Sequence, residues 1–161
     1  MFDTSRSVSS EIKRRAAKVC VAAAVITMAG ATSDAFACWE QVAAKYSLTP
    51  QLLYAIAKYE SGLRNDAINV NKNGSRDVCM MQVNSSHFGE LGRYGITESM
   101  LKKDWCVCLD VGAWILSGMF QRYGNTWTAI GAYNAASADR RRKYAWGIYR
   151  ELQKVSGAPA Q

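Results

Sequence analysis

The chain has 161 residues and a formal net charge of +7, and 49% of its residues are hydrophobic while 20% are charged. This length and composition fit one compact globular domain rather than a disordered or low-complexity chain. The positive charge favours anionic partners, but its basic residues gather mainly at positions 140–143 instead of interleaving with aromatic residues. We therefore expect no nucleic-acid partner.

Basic residues precede a short apolar run near the amino terminus. The run covers residues 19–31, and Ala35, Phe36 and Ala37 then form the small-x-small pattern of a signal-peptidase site. We predict a cleaved signal peptide at residues 1–37 and a periplasmic domain at residues 38–161. The run is shorter than the roughly 18 residues of a transmembrane span, so a retained membrane anchor is the less favoured alternative.

Four cysteines follow the predicted cleavage point, namely Cys38, Cys79, Cys106 and Cys108. An even number in an exported protein predicts two disulfides, and Cys106 is badly placed to pair with Cys108 across one residue. The spacing leaves the remaining connectivities open. A zinc site is disfavoured because Cys-x-Cys is not the usual ligand spacing and no histidine pair accompanies it, so we expect no metal and no cofactor.

Apolar residues recur at helical spacing along most of the predicted domain. The clearest helix begins after Thr49 with a proline in its first turn, and it ends at Ser61 and Gly62. Further helices are predicted over residues 38–46, 86–91, 98–102, 104–123, 127–133 and 138–154, with caps at Ser85 or Ser86, Thr97, Thr126 and Ser137. In the long central helix, Gly112 and Gly118 would permit close approach of a neighbouring helix.

Residues 64–77 are rich in Asn, Asp and Gly, and the dipeptide Asn73-Gly74 predicts a small hairpin or an irregular loop. Residues 79–84 are too few for an element of their own and are expected to cross the core. The sequence thus predicts a mainly α domain with a small hairpin, stapled by disulfides.

Glu60 is the candidate for chemistry because it lies in the last turn of its helix, where the helix dipole disfavours a carboxylate. A solvated glutamate at a helix end is the plain alternative. Burial and the dipole both favour the protonated form, which a general acid needs near neutral pH. We expect Tyr59, Met81 and Tyr133 to form apolar walls around it.

Three stretches carry a family resemblance, and they are residues 60–61 (E-S), 80–84 (M-M-Q-V-N) and 132–135 (A-Y-N-A). In this order the chain resembles the lysozyme-like soluble lytic transglycosylases, whose E-S, G-L-M-Q-I-N and A-Y-N-A runs line one groove. It is most similar to the small members that accompany secretion and conjugation machines, since residues 71–78 match their N-x-N-G-S-x-D-V stretch.

The resemblance implies a lysozyme-like α domain in which Glu60 is the only catalytic acid and base. The substrate-binding residues that it implies are Ser61, Met81, Gln82, Tyr133, Asn134 and Tyr144. Glycosidases ordinarily use a second carboxylate, for which the sequence offers Asp66 and Asp77, but a turn-forming role is favoured for both.

The chain departs from the family pattern at Cys79 and Ala136, which stand where the resembled runs have glycine. The bridge usual in the family would join Cys38 to Cys106. It would leave Cys79 and Cys108 to pair with each other, which would tie the loop at residues 79–84 to the central helix.

The function implied is cleavage of the β-1,4 bond between N-acetylmuramic acid and N-acetylglucosamine, with a 1,6-anhydro product. We expect a monomer that opens the peptidoglycan wall locally for a secretion or conjugation apparatus. The alternatives are a hydrolytic muramidase of the same fold and a non-catalytic wall-binding assembly factor. Residues 140–143 could bind stem-peptide carboxylates or an apparatus partner, or form a solvated face, and His87 is expected at the surface or at a helix start.

Overall fold

The structure is a computed structural model that describes residues 30–157, with side chains from residue 37 onward. The chain divides into two units, residues 1–36 and 37–161, and the fold below is that of the second. The predicted signal peptide, residues 1–37, lies almost entirely outside the side chains that are described. Among the described residues, no helix is both long enough and apolar enough to cross a membrane.

The fold of the described residues is mainly helical, as predicted. Seven α-helices run in the order α1 Gly30–Lys45, α2 Pro50–Ser61, α3 Phe88–Arg93, α4 Glu98–Lys103, α5 Trp105–Tyr123, α6 Trp127–Asn134 and α7 Ala138–Ser156. Helix α2 has the predicted caps, since the Thr49 hydroxyl accepts from the Leu52 amide at 3.2 Å and Gly62 adopts a left-handed φ of 66°.

The predicted hairpin is present and belongs to an antiparallel sheet with the order β1-β2-β3. Its strands are β1 Ile68–Val70, β2 Arg76–Val78 and β3 Val83–Asn84. The sequence did not indicate β3, because two residues carry no periodicity and the strand exists only through its pairing with β2. A short 3-10 helix, Ser85–His87, follows, and its cap is the Asn84 side chain rather than a serine.

Helix α5 forms the centre of the core. Its buried residues are Cys108, Leu109, Val111, Gly112, Ala113, Ile115 and Leu116. A Cβ at Gly112 would lie 2.7 Å from the Met81 Cε, so this glycine makes room for a loop side chain and not for a helix. The expectation for Gly118 is wrong, since nothing lies within 4 Å of the place where its Cβ would be.

Helix α7 packs against both α2 and α6. Tyr144 and Ile148 lie on its buried side, as predicted, but Val155 is exposed because the helix has by then passed its neighbours. Ser137 occupies the predicted cap position, but its side chain makes no capping bond to the backbone and its hydroxyl accepts from the Arg140 side chain.

Two disulfides hold the fold together, as predicted. They join Cys38 to Cys106 and Cys79 to Cys108, which is the pairing that the family resemblance implied. Cys79 has a φ of 62°, a left-handed conformation that favours glycine, at the position where the resembled run has glycine. The second bridge therefore fixes an unusual backbone turn immediately before Met80.

Candidate active site

The Glu60 carboxyl lies in the last turn of α2 and is partly buried. Burial raises its pKa to about 7, a hydrogen bond from Tyr144 works against this shift, and the negative charge of Asp77 adds to it. The negative end of the α2 dipole acts in the same direction as burial. Near neutral pH the group is therefore poised between its acid and base forms.

Two tyrosines connect Glu60 to the loop before β3. The Tyr144 hydroxyl of α7 donates to Glu60 Oε1 at 2.5 Å, and its ring stacks against Tyr133 of α6 with 6.4 Å between centroids. The Tyr133 hydroxyl in turn donates to the backbone oxygen of Met81 at 2.8 Å. Burial raises the pKa of both phenols well above the ordinary value, so both remain donors.

Met81 is fully buried, so its side chain supports the site from behind instead of forming an open wall. Its place depends on Gly112 of α5, whose missing side chain leaves the space that Met81 fills. Tyr59, another expected wall, is 42% exposed and packs edge-on against Tyr144.

Gly147 is a residue that the sequence did not single out. A Cβ there would lie 2.5 Å from the Tyr59 ring, so only glycine allows α7 to come this close to α2. That approach places Tyr144 within hydrogen-bonding distance of Glu60, 84 residues away along the chain.

The Ser61 hydroxyl is buried and bonded to backbone groups. It donates to the Met80 oxygen at 2.9 Å and accepts from the Arg64 amide at 3.1 Å. Ser61 therefore joins the end of α2 to the loop that carries Met81, and it sets the position of Glu60 through the backbone.

Gln82 and Asn134 lie at the edges of this arrangement. Gln82 is partly exposed with a positive φ of 50°, and its amide nitrogen donates to the Cys79 oxygen at 2.9 Å. Asn134 is exposed at the last position of α6. The structure thus brings together Glu60, Ser61, Met81, Tyr133 and Tyr144, with Gln82 directly beside them and Asn134 outside their hydrogen-bonded chain.

Asp77 of β2 is held by two side-chain amides. Asn71 donates to Asp77 Oδ2 at 2.8 Å, and Asn84 donates to Oδ1 at 2.6 Å. This is more than the turn-forming role that the sequence suggested, because the same carboxylate acts electrostatically on Glu60. The sequence carried no clear signal for this arrangement, because Asn84 is brought to Asp77 by the pairing of β3 with β2. Asp66, the other candidate, is exposed.

No group of three or more His, Cys, Asp or Glu residues able to hold a metal ion occurs among the described residues. His87, expected at the surface or at a helix start, directly precedes α3 as its N-cap residue, is partly buried and packs edge-on against Trp114, with 6.3 Å between ring centroids. Because the pKa of Glu60 is about 7, its carboxyl group can both give up and take up a proton near neutral pH, beside the negative charge of Asp77.

Comparison with known proteins identifies the family of the chain. The family model described as the transglycosylase SLT domain matches residues 37–146, and the chain belongs to that family. By that membership it is a peptidoglycan lytic transglycosylase.

Two relatives are small proteins of similar length. Invasion protein IagB of Salmonella typhimurium is 41% identical over 128 residues, which cover 77% of this chain and 80% of IagB. Protein IpgF of Shigella flexneri is 37% identical over 128 residues, which cover 77% of this chain and 84% of IpgF.

A solved structure shares the fold. An inactive mutant of the lytic transglycosylase Slt from Pseudomonas aeruginosa superposes with a TM-score of 0.58 at 21% identity. The match covers 83% of this chain but only 25% of Slt, so the chain corresponds to about a quarter of that larger protein.

Proposed function

We propose that Glu60 is the catalytic acid and base in cleavage of the β-1,4 bond between N-acetylmuramic acid and N-acetylglucosamine. The observation that carries this proposal is a partly buried carboxyl group, bonded to Tyr144, whose pKa is raised to about 7. In its acid form the carboxyl protonates the glycosidic oxygen, and the bond from that oxygen to the muramyl C1 breaks.

The carboxylate that remains then accepts the proton of the muramyl 6-hydroxyl. The freed oxygen bonds to C1 and closes a 1,6-anhydro ring, and Glu60 is again protonated. No water is consumed. The Tyr144 hydroxyl, which donates to Glu60, would stabilise the carboxylate in the interval between the two proton transfers.

Asp77 is the second carboxylate near the reaction, and its bonding supports the intramolecular route over hydrolysis through a covalent intermediate. Each of its oxygens accepts an amide hydrogen bond, which holds the carboxylate in place and lowers its nucleophilicity. Its negative charge would stabilise the positive charge that develops on the ring in an oxocarbenium-like transition state.

We assign substrate contact to Gln82, Tyr133 and the exposed Asn134, while the buried Tyr144 would act through its hydrogen bond to Glu60. The buried Ser61 and Met81 would support the site by holding the loop and the end of α2 in place. An amide at position 82 can both donate to and accept from sugar hydroxyls or an acetamido group.

We further propose that residues 1–37 direct export to the periplasm and that the enzyme opens the wall for a secretion or conjugation apparatus. The start of the family match at residue 37 supports the boundary, and the name of the relative IagB, an invasion protein, supports the role. No cofactor is required by this scheme.

The test is mass spectrometry of purified sacculi digested by the wild-type protein. The proposal expects muropeptides that end in 1,6-anhydro-N-acetylmuramic acid. Products with reducing ends, each heavier by one water, would instead establish the hydrolytic muramidase, and undigested sacculi would leave the assembly-factor alternative.

A further inference from the structure

A second concave surface lies between α6 and α7, away from Glu60. This α6–α7 groove has a volume of about 560 Å³, and its lining includes Trp127, Trp146, Tyr149, Arg141, Arg142 and Ala145. Its size falls in the range of pockets that bind small ligands or segments of a polymer.

The groove is separate from the active site. None of the residues around Glu60 lines it, and Trp146 follows Tyr144 by two positions on α7. Two helical positions correspond to about 200° of rotation, so these two side chains leave the helix on nearly opposite sides. Ligands can therefore occupy the groove and the active site at the same time.

Its aromatic walls are exposed without stabilising the core. Trp127 is 45% exposed and Trp146 is 61% exposed, although burial of such side chains is strongly favourable. Tyr149 stands edge-on to both indoles, with 5.5 Å between centroids in each pair. These mutual contacts hold the indole faces open and in place.

Its cationic wall is fixed as well. The Arg141 side chain donates to the Ala135 backbone oxygen at 2.9 Å and to the Tyr123 hydroxyl at 3.1 Å. Arg142 pairs with Asp139 at the exposed edge. Both arginines lie near the amino terminus of α7, whose dipole adds to the positive potential instead of compensating for it.

We infer that the α6–α7 groove is a second glycan-binding site, which holds a peptidoglycan strand other than the segment being cut. The apolar C–H faces of its sugar rings would lie on the indoles of Trp127 and Trp146, and a stem-peptide carboxylate would lie at Arg142. The inference rests on the proposed function for its choice of substrate. Charge complementarity selects this occupant, since the strand combines flat apolar faces with carboxylates.

Such a site would act on insoluble wall and not on short fragments. A strand held at the groove keeps the enzyme at the surface of the sacculus between cuts, which raises the local substrate concentration at Glu60. A soluble fragment too short to reach both sites gains nothing from it.

The experiment measures co-sedimentation with intact sacculi in a Glu60→Gln background, so that the sacculi survive. Trp146→Ala should weaken binding about fivefold to tenfold, the effect of losing one stacking face. Arg142→Glu should weaken it by up to about fivefold, and less at high salt. Ala138→Leu, which extends an exposed side chain into the groove at the first turn of α7, should weaken binding without removing any wall.

Matched controls lie elsewhere on the surface. Tyr94→Ala removes an aromatic ring that is 72% exposed, and Lys103→Glu makes the same charge change as the arginine variant at an exposed lysine. Both should bind sacculi like the parent. With Glu60 restored, Trp146→Ala should digest soluble uncross-linked fragments at the wild-type rate and sacculi more slowly.

Two further ligands separate the sources of affinity. Glycan stripped of its stem peptides should retain the effect of Trp146→Ala and lose that of Arg142→Glu, while single-stranded DNA tests a general polyanion surface. Wild-type binding by both Trp146→Ala and Ala138→Leu would overturn the inference, as would tighter, equally Trp146-dependent binding of DNA. Absence of anhydro products from the wild type would instead overturn the proposed function and leave the binding comparison valid.

Discussion

Two helix ends in this molecule carry charges that the helix dipole disfavours, and they differ in what the charges can do. At the carboxyl end of α2 the group is Glu60, which can take up a proton, and its pKa is raised to about 7. At the amino end of α7 the groups include Arg140, Arg141 and Arg142, which remain charged at any pH that a protein tolerates.

The difference is one of chemical response. An unfavourable field acting on a titratable group changes its protonation state, which is useful in catalysis. The same field acting on guanidinium groups cannot change their charge, so it makes hydrogen-bond acceptors and anions more favourable beside them. Within the chain, Ser137, the Ala135 backbone oxygen and the Asp139 carboxylate accept hydrogen bonds from these arginines. An anionic ligand in the α6–α7 groove would add a further favourable interaction.

The largest expected effect is at the α2 end. Glu60→Gln keeps the size of the side chain and its hydrogen bond to Tyr144 but removes the transferable proton, so anhydro-muropeptide release should fall by about 10²- to 10⁴-fold. The assay is product quantification by mass spectrometry. Glu90→Gln, at an exposed glutamate in the first turn of α3, should keep full activity. Equal turnover by Glu60→Gln would remove the catalytic assignment.

The disulfides come next, and they should separate stability from activity. Removing either bridge by paired alanine substitution should cost about 2–4 kcal/mol. The Cys38–Cys106 pair encloses the longer loop, 68 residues against 29, and so should cost about 0.8 kcal/mol more by the chain-entropy relation. Only loss of the Cys79–Cys108 bridge frees the loop that carries Met81, so this variant should lose more activity than the variant without the Cys38–Cys106 bridge. Denaturant melts beside sacculus assays test both, and identical activity losses would contradict the distinction.

The raised pKa of Glu60 also predicts a stability that depends on pH. The folded form binds the proton more tightly than the unfolded chain, so the stabilisation is complete below the ordinary pKa of 4.5 and is lost as pH rises through about 7. Glu60→Gln should therefore be more stable than the wild type at pH 8, by about 1–3 kcal/mol, and equal to it at pH 4. Parallel pH–stability curves for the two proteins would show that the carboxyl is not desolvated.

Two substitutions near Glu60 should move its titration in opposite directions. Tyr144→Phe removes the hydrogen bond that lowers the pKa of Glu60, so the alkaline limb of the pH–rate profile should shift upward. Asp77→Asn removes the charge that raises this pKa, so the limb should shift downward. Kinetics on a soluble fragment between pH 5 and pH 9 measure both shifts. Shifts of the same sign would place the controlling group elsewhere.

The smallest effect is expected at the α7 end. Arg140→Glu puts an acid three residues after Ser137, which creates a capping box and reverses the unfavourable charge–dipole interaction. The variant should be more stable by about 0.5–1 kcal/mol in thermal or urea unfolding. Arg122→Glu, at an exposed arginine in the last turn of α5, replaces a favourable charge–dipole interaction with an unfavourable one. It should destabilise the protein by a similar amount. A destabilised Arg140→Glu would mean that folding, and not binding, selects the cation.

Sequence alone predicted the features that depend on neighbouring residues. Thr49, Pro50 and Gly62 fix both ends of α2, and Asn73-Gly74 fixes the hairpin turn. The family resemblance supplied what periodicity could not, above all the candidate role of Glu60 and the pairing of the cysteines.

The features that the sequence missed depend on contacts between distant segments. Strand β3 exists only beside β2, and the Tyr144–Glu60 bond exists only because Gly147 admits Tyr59. The α6–α7 groove is a mixed case. Arg142, Trp146 and Tyr149 share α7 at helical spacing, whereas Trp127 comes from α6, and only the packing of the two helices brings it to the groove.

The placement of two cysteines on α5 has a consequence for how the chain oxidises. Cys106 and Cys108 are two positions apart, so a formed helix turns their thiols to nearly opposite sides. Each thiol then meets a different partner, Cys38 on one side and Cys79 on the other. Once α5 has formed, it keeps the two thiols apart and directs each to its native partner before the disulfides form. Mispaired isomers should therefore accumulate only under conditions in which α5 is unfolded.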